Sequence, residues 1–524
     1  MKNVSKRRAT AALLAIVAIA ASACSGDEPN ASGPTTAMAP SSNSTVGGID
    51  GSIAIPDQTS SFESAPITWR PCGSFECAEV AVPLDYAEGS GQASLEIAVG
   101  RIPAANPSER LGVLVVNPGG PGGSGLELLE AFAAGFFPQE LDAFDIVSFD
   151  PRGVGASEPA FACGADGERL AATNDIEGDI DTAAETRIAE DAALLCVESM
   201  GAVAGLLHTE FVARDMDIIR AALGEDQISY LGYSYGSTIG TWYASLFPNR
   251  VRAMVLDGAQ DPIDPSATTA ERVANDILEI ETFEVLLDRA LSACDDASCE
   301  IFNDGDPLSL YLRATQKFDL VANELDDNPL AGPLGLITTL YSEDTWSLLY
   351  AGIAGLAIDD DPSVFASSAQ FQIPNPGQVS ITGHINCLDD WVVESHVDRA
   401  DRINDSEVMF DEIEDQLPLL AALNFDTFDA CPYYDQFAPE PLSIALDGAN
   451  VPILVIGNPN DPATPFVESV GLATETLSNG YLIEVEHLQH TVYPDNACVV
   501  RLVHEVLLET TYPTDRRTTC LRED

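Results

Sequence analysis

Basic residues are scarce in this chain. Lysine occurs three times, as Lys2, Lys6 and Lys317, and lysine and arginine together number 24 against 83 aspartates and glutamates. Phosphate binding needs clustered Lys and Arg, so nucleic acid is excluded as a partner. The formal charge of −59 implies instead a solvated acidic surface that resists aggregation and suits a saline habitat or a cationic ligand. Long apolar runs are also missing. The uncharged stretch Ala9–Ala23 is too short to span a bilayer permanently, and no later segment approaches the roughly 20 apolar residues of a membrane helix. No doubled C-x-x-C spacing offers a zinc site, and the glycine-rich run lacks the Lys-Ser/Thr of a phosphate loop. Neither a metal nor a cofactor is expected.

The chain begins with a targeting pattern. Lys2, Lys6, Arg7 and Arg8 precede Ala9–Ala23, and small residues close the run, so residues 1–23 read as a signal peptide. The junction Ala21-Ser22-Ala23-Cys24 resembles a bacterial lipoprotein lipobox, with Ala where Leu is more usual; an ordinary signal-peptidase site is the alternative. Eleven cysteines in an exported chain leave one odd thiol, which lipidation of Cys24 would account for. The expected product is a lipoprotein on the outer face of the cell membrane, held by its lipid alone, or else a soluble secreted form. The other ten cysteines fall in neighbouring couples: Cys72 with Cys77, Cys163 with Cys196, Cys294 with Cys299, Cys387 with Cys431, and Cys498 with Cys520. Neighbour pairing is the expectation, each bridge contributing about 2–4 kcal/mol.

Residues 24–61 are rich in Ser, Thr, Pro, Gly and Ala and cannot bury enough surface to fold alone, so they read as a flexible stalk. At the coil scale of such linkers, about 37 residues would hold the domain on the order of 35 Å from its anchor. The remainder exceeds a usual single core. Short apolar runs ending in Gly, Pro or Asp, at 112–116, 144–149, 228–231, 253–256, 451–456 and 481–485, look like buried parallel strands with helical patterns between them. The gap between Asp261 and about Asn450 has helix-like periodicity and acidic loops. The expected architecture is a mostly parallel α/β sheet flanked by helices: a body over 62–260, a helical cap inserted over 261–450, and the rest of the body over 451–524.

Gly232-Tyr233-Ser234-Tyr235-Gly236 follows one of these strands and precedes a helical stretch. In a G-x-S-x-G turn between strand and helix the small flanking residues let the backbone bend, and the serine hydroxyl is exposed at the helix N-terminus. Ser234 is therefore the candidate nucleophile. Such a nucleophile needs backbone N–H groups aimed at the developing oxyanion, and the run from Asn117 to Gly125 after the strand 112–116 has the glycines to bring them close. The α/β-hydrolase order is serine, then acid, then histidine. Asp461, just past the strand 451–456, is the candidate acid, with Asp257 as its rival. His487, His490 and His504 lie late enough to be the base. His504 falls in an apolar-periodic helix where packing is expected, and His490 is preferred to His487 because it sits in the loop proper.

These pieces, with Trp69, Cys72 and Cys77, the run from Val82 to Tyr86, the Asn117–Gly125 turn, Asp150-Pro151-Arg152-Gly153-Val154-Gly155 and Asp461-Pro462-Ala463-Thr464-Pro465, make the chain resemble a known group. It is the tripeptidyl aminopeptidase and proline iminopeptidase-like group of exported actinobacterial α/β-hydrolases, over about Thr68 to Cys520. The resemblance implies a triad of Ser234, Asp461 and His490, an oxyanion hole from the N–H groups of Gly120 and Tyr235, and a terminal module from about Asp435 that delivers acid and base. It also implies cleavage of one or a few residues from the free N-terminus of a peptide through an acyl-enzyme. Two positions depart from the group's pattern: Gln489 stands where a Gly usually precedes the histidine, and Pro432-Tyr433-Tyr434 follows Cys431 where a Trp is common. An esterase, and a non-catalytic peptide-binding lipoprotein, are the rival readings, since fold does not fix substrate.

Overall fold

The computed structural model describes residues 62, 66–86, 93–163, 193–262, 269–296, 306–325, 331–369, 381–393, 399–403, 416–421, 423, 431–437 and 445–522. The expected signal peptide, Cys24, the stalk and Cys299 lie outside them.

Ten strands form one sheet in the order β1-β2-β3-β5-β4-β6-β7-β8-β9-β10. They are β1 (Arg70–Cys72), β2 (Phe75–Pro83), β3 (Ser94–Ile102), β4 (Gly112–Asn117), β5 (Phe144–Phe149), β6 (Ile228–Tyr233), β7 (Val251–Asp257), β8 (Ile453–Gly457), β9 (Gly480–Val485) and β10 (Arg517–Cys520). β1, β2 and β3 pair antiparallel and β3 is antiparallel to β5, whereas every pairing from β5 to β10 is parallel. Parallel strands are covered on both faces and read as continuous apolar runs; all six residues of β5 and all five of β8 are buried. The six expected strands are β4 to β9. The other four carry no such run, because β2 and β3 interleave glutamates with their apolar residues and β10 is a short, partly exposed Arg-Thr-Thr-Cys.

One apolar cluster packs one side of the sheet against the helices Thr209–Ala222 and Gly236–Leu246. The other side meets Gly125–Ala131 and Ala497–Glu509. Between β7 and β8 the described residues form helices and no strand, and those from Thr269–Asp296 to Ser363–Ala369 close over a core of their own built on Leu287, Tyr311, Leu349 and Phe365. Helix Ile381–Val393 docks this insert on the body through Ile385 and Val392. Disulfides join Cys72–Cys77, Cys163–Cys196, Cys387–Cys431 and Cys498–Cys520. Cys294 is also disulfide-bonded.

The sheet order reverses around β4, since β5 pairs on one side of it and β6 on the other. In open α/β sheets ligands bind beyond the carboxyl ends of the strands at such a reversal. Asn117 at the end of β4 is in register with Gly232 near the end of β6, so the glycine-rich turn and the serine turn leave the sheet side by side.

Candidate active site

Ser234 has φ of 54°, a left-handed conformation costly for a residue with a side chain. The turn is built to hold it there. The Ser234 N–H donates to the Asp257 carbonyl at 2.8 Å and the Ser234 carbonyl accepts the Ser237 N–H at 2.7 Å. A Cβ on Gly232 would lie 2.3 Å from the Gly236 carbonyl oxygen, so β6 and the helix Gly236–Leu246 could not meet so tightly with a larger residue there. The strand-to-helix corner thus sets a half-buried serine hydroxyl at the head of a helix.

The turn after β4 presses on this corner. A Cβ on Gly119 would come within 2.4 Å of the Tyr233 carbonyl oxygen, 2.9 Å of Ser234 Cβ and 3.0 Å of the Tyr235 nitrogen. Asn117 Oδ1 accepts the Gly119 N–H at 2.9 Å. Among the described residues neither the Gly120 nor the Tyr235 N–H donates to a protein acceptor. Asp150 fastens the far side of this turn, accepting from Ser124 Oγ at 2.6 Å, Leu126 N at 3.1 Å and Ala156 N at 2.9 Å.

Asp461 and His490 are brought together from the loops after β8 and β9: His490 Nδ1 lies 2.8 Å from Asp461 Oδ1. The same oxygen accepts the Ala463 and Thr464 N–H groups at 2.9 and 3.0 Å. An ionised carboxylate only accepts, so Nδ1 carries the proton and Nε2 keeps its lone pair. Burial disfavours the charged imidazole, but the Asp461 carboxylate, its hydrogen bond and Asp257 outweigh that and raise the His490 pKa above its ordinary 6.5. Gly258 joins the two halves of the site: it follows Asp257, and a Cβ on it would lie 3.1 Å from His490 Cε1. No hydrogen bond joins His490 to Ser234 Oγ in this arrangement; such bonds are often long until a substrate is engaged.

The other candidates are placed elsewhere. His487 makes no hydrogen bond to Asp461, and its buried Nδ1 has no partner among the described residues. His504 Nε2 meets Tyr493 Oη at 3.0 Å. Asp257 does not bond His490; its carboxylate accepts the Val492 and Tyr493 N–H groups at 3.0 and 2.7 Å. Arg152, in the Asp150–Gly155 motif, is fully buried and forked onto Asp215 at 2.8 and 2.7 Å, while Tyr86 Oη donates to the same carboxylate at 2.7 Å. Arg152 and Tyr86 therefore serve packing, while Asp150, of the same motif as Arg152, braces the glycine-rich turn. Gln489 braces its loop by donating to Asp495 Oδ2 at 2.9 Å and Thr491 O at 3.0 Å. Tyr434, in the other departure, meets His384 Nδ1 at 2.8 Å in a buried aromatic cluster.

Two cap residues near the site have no sequence signal. Tyr341 accepts the His490 N–H on its carbonyl at 2.7 Å. Asp389 on the helix Ile381–Val393 accepts the Thr209 N–H at 2.8 Å and the Tyr235 hydroxyl at 3.2 Å, with burial pushing its carboxyl up to about 6.

A parallel sheet reversing at β4, with a strained serine after β6 and an acid and histidine after the last long strands, defines an α/β hydrolase of the serine type. The chain belongs to the alpha/beta hydrolase fold family, which matches residues 112–497. It is 32% identical over 501 residues to Serine protease Hip1 of Mycobacterium tuberculosis, covering 86% of this chain and 90% of that protein. It is 32% identical over 481 residues to Carboxylesterase B of the same organism, covering 85% and 88%. To Tripeptidyl aminopeptidase of Streptomyces lividans it is 39% identical over 211 residues, 38% of this chain and 39% of that protein.

Proposed function

We propose that this protein is an exported serine peptidase that removes single residues or short peptides from substrate N-termini. The observation that carries the reading is the Asp461–His490 hydrogen bond beside a serine held at φ of 54°. Ser234 Oγ attacks the scissile carbonyl and His490 Nε2 takes its proton. Asp461 holds the tautomer and stabilises the imidazolium, and the N–H groups of Gly120 and Tyr235 receive the oxyanion. The imidazolium then protonates the leaving amine, and water releases the acyl-enzyme by the same steps in reverse. Extensive identity to a protein named a serine protease, and local identity to one named a tripeptidyl aminopeptidase, support a peptide substrate. The relative named a carboxylesterase makes simple esters the second reading.

Export is supported by the disulfides, which persist in oxidising compartments. Cys24 is the proposed lipid anchor, and Cys24→Ser is expected to release the protein from the membrane fraction. A fluorophosphonate probe tests the chemistry. The wild type is expected to gain one phosphonyl adduct, mapped to Ser234, and Ser234→Ala to gain none while folding normally. Peptides with a free N-terminus are expected to turn over with higher kcat/KM than simple acyl esters; the reverse order would favour the esterase.

A further inference from the structure

One segment of the cap is stitched to the loop that carries His490. Tyr341, Ser342 and Glu343 run antiparallel to Leu488, Gln489 and His490. The His490 N–H donates to the Tyr341 carbonyl at 2.7 Å, the Glu343 N–H donates to the Leu488 carbonyl at 3.0 Å, and Ser342 faces Gln489 as a bridge. The Tyr341 ring stands edge-on to the imidazole, with centroids 5.5 Å apart and planes at 80°. Leu488 packs against the core of the cap, and Arg522 pairs with Glu343 from the end of the chain. His490 is thus held twice: its side chain by Asp461 of the body, and its main chain by Tyr341 of the cap.

We propose that the Tyr341–Glu343 strap positions the base, with Tyr341 as a positioning residue. The proposal rests on the reading of Ser234 and His490 given above. Asp461 fixes which ring nitrogen carries the proton, but the distance from Nε2 to Ser234 depends on where the His490 backbone stands, and the strap holds that backbone together with Asn458, which donates to the Gln489 carbonyl at 2.8 Å. A misplacement of about 1 Å at a reacting group costs on the order of 100-fold in rate. The insert also meets the turns of the site through the helix Ile381–Val393, where Asp389 accepts the Tyr235 hydroxyl and Thr382 donates to the Pro121 carbonyl, so a peptide that engages the cap acts on the base through the strap's two hydrogen bonds and one ring contact.

Glu343→Pro tests the strap. It deletes the N–H that donates to Leu488, at the first residue of the 3-10 helix Glu343–Thr345, where proline is tolerated. Ser342 before it is already extended, at φ −153° and ψ 144°, as a residue preceding proline must be. Arg522→Ala removes the ion pair alone, Tyr341→Ala removes the ring, and Tyr341→Phe keeps it. The readouts are the rate of inactivation by a small fluorophosphonate, which needs nucleophile and base, and kcat and KM for a peptide, with thermal melting to show that each variant folds. Glu343→Pro and Tyr341→Ala are expected to lower both the inactivation rate and kcat by roughly 10- to 100-fold at little-changed KM. Tyr341→Phe is expected to recover most of the loss, and Arg522→Ala to stay within about twofold of wild type. Should Glu343→Pro fail to fold, the Tyr341→Ala and Tyr341→Phe pair decides. Wild-type inactivation rates in the folded variants, or a rise in peptide KM alone, would overturn the proposal. A wild-type protein that takes no label at Ser234 would instead overturn the reading beneath it.

Discussion

Asp257 takes the Ser234 N–H on its main-chain oxygen at 2.8 Å, and its carboxylate takes the two N–H groups, of Val492 and Tyr493, that follow the His490 loop. One residue at the end of β7 therefore ties the nucleophile turn to the base loop. Burial pushes its carboxyl up to about 7, against the opposing pull of those two N–H groups. An acid whose folded pKa lies above its unfolded value of 3.8 contributes stability below that value and loses it as pH rises through about 7. Asp257→Asn is therefore expected to flatten the pH dependence of urea unfolding between about pH 4 and about pH 8. Asp257→Ala, which leaves two buried N–H groups unpaired, is expected to cost about 2–4 kcal/mol. An unchanged unfolding midpoint in Asp257→Ala would contradict the anchoring role.

The base itself gives a kinetic prediction. Burial disfavours the charged form of His490, but Asp461 and Asp257 outweigh it, so neutral imidazole, the form that the proposed base needs, becomes the major form at a higher pH than in an ordinary histidine. The acid limb of kcat/KM is expected to have its midpoint above 6.5. His490→Ala is expected to lose at least about a thousandfold in kcat, while His487→Ala, which removes a ring with no bond to Asp461, keeps turnover. Activity in His490→Ala and loss in His487→Ala would reverse the assignment.

Arg152 and Asp215 form a fully buried ion pair at 2.7 Å. Removing one charge strands the other in the interior, at about 3–5 kcal/mol. Arg152→Met is expected to lower stability by that amount in urea unfolding, and the fraction that remains folded to label with fluorophosphonate at the wild-type rate. Loss of labelling in folded protein would mean that Arg152 acts on the chemistry.

The substrate amine separates an aminopeptidase from an esterase or endopeptidase. A closed pocket for a peptide N-terminus must pair a desolvated ammonium with a carboxylate. Acetylation removes that charge and adds bulk, and losing a buried charged contact costs about 2–5 kcal/mol, or roughly 30-fold to several thousandfold in kcat/KM. One short peptide measured with free and with acetylated N-terminus at fixed salt decides the matter; equal values would sink the aminopeptidase reading.

Ser234 was legible in the sequence because everything that makes it exceptional is local. A buried strand, two small flanking residues and a helix within about 20 positions force the turn, and the turn forces the φ. The strands β4 to β9 were legible for a similar reason, since burial on both faces leaves an unbroken apolar run. Order along the chain nominated Asp461 and the late histidines. Order could not choose between His490 and His487, which stand three residues apart on one loop; only the loop's path, with Asn458 holding the Gln489 carbonyl at 2.8 Å and Tyr341 holding the His490 N–H, turns one ring toward Asp461 and the other away. Nor did composition mark β1 to β3 and β10, whose edge or mixed environments leave polar residues in the strand. The tertiary structure alone made Asp257 an anchor instead of an acid, Arg152 a buried strut, and a cap segment nearly 150 residues upstream the partner of the base loop. Those relationships join segments far apart in the chain, the strap through main-chain groups and the other two through a carboxylate and an ion pair whose partners lie on other elements, so no local pattern records them.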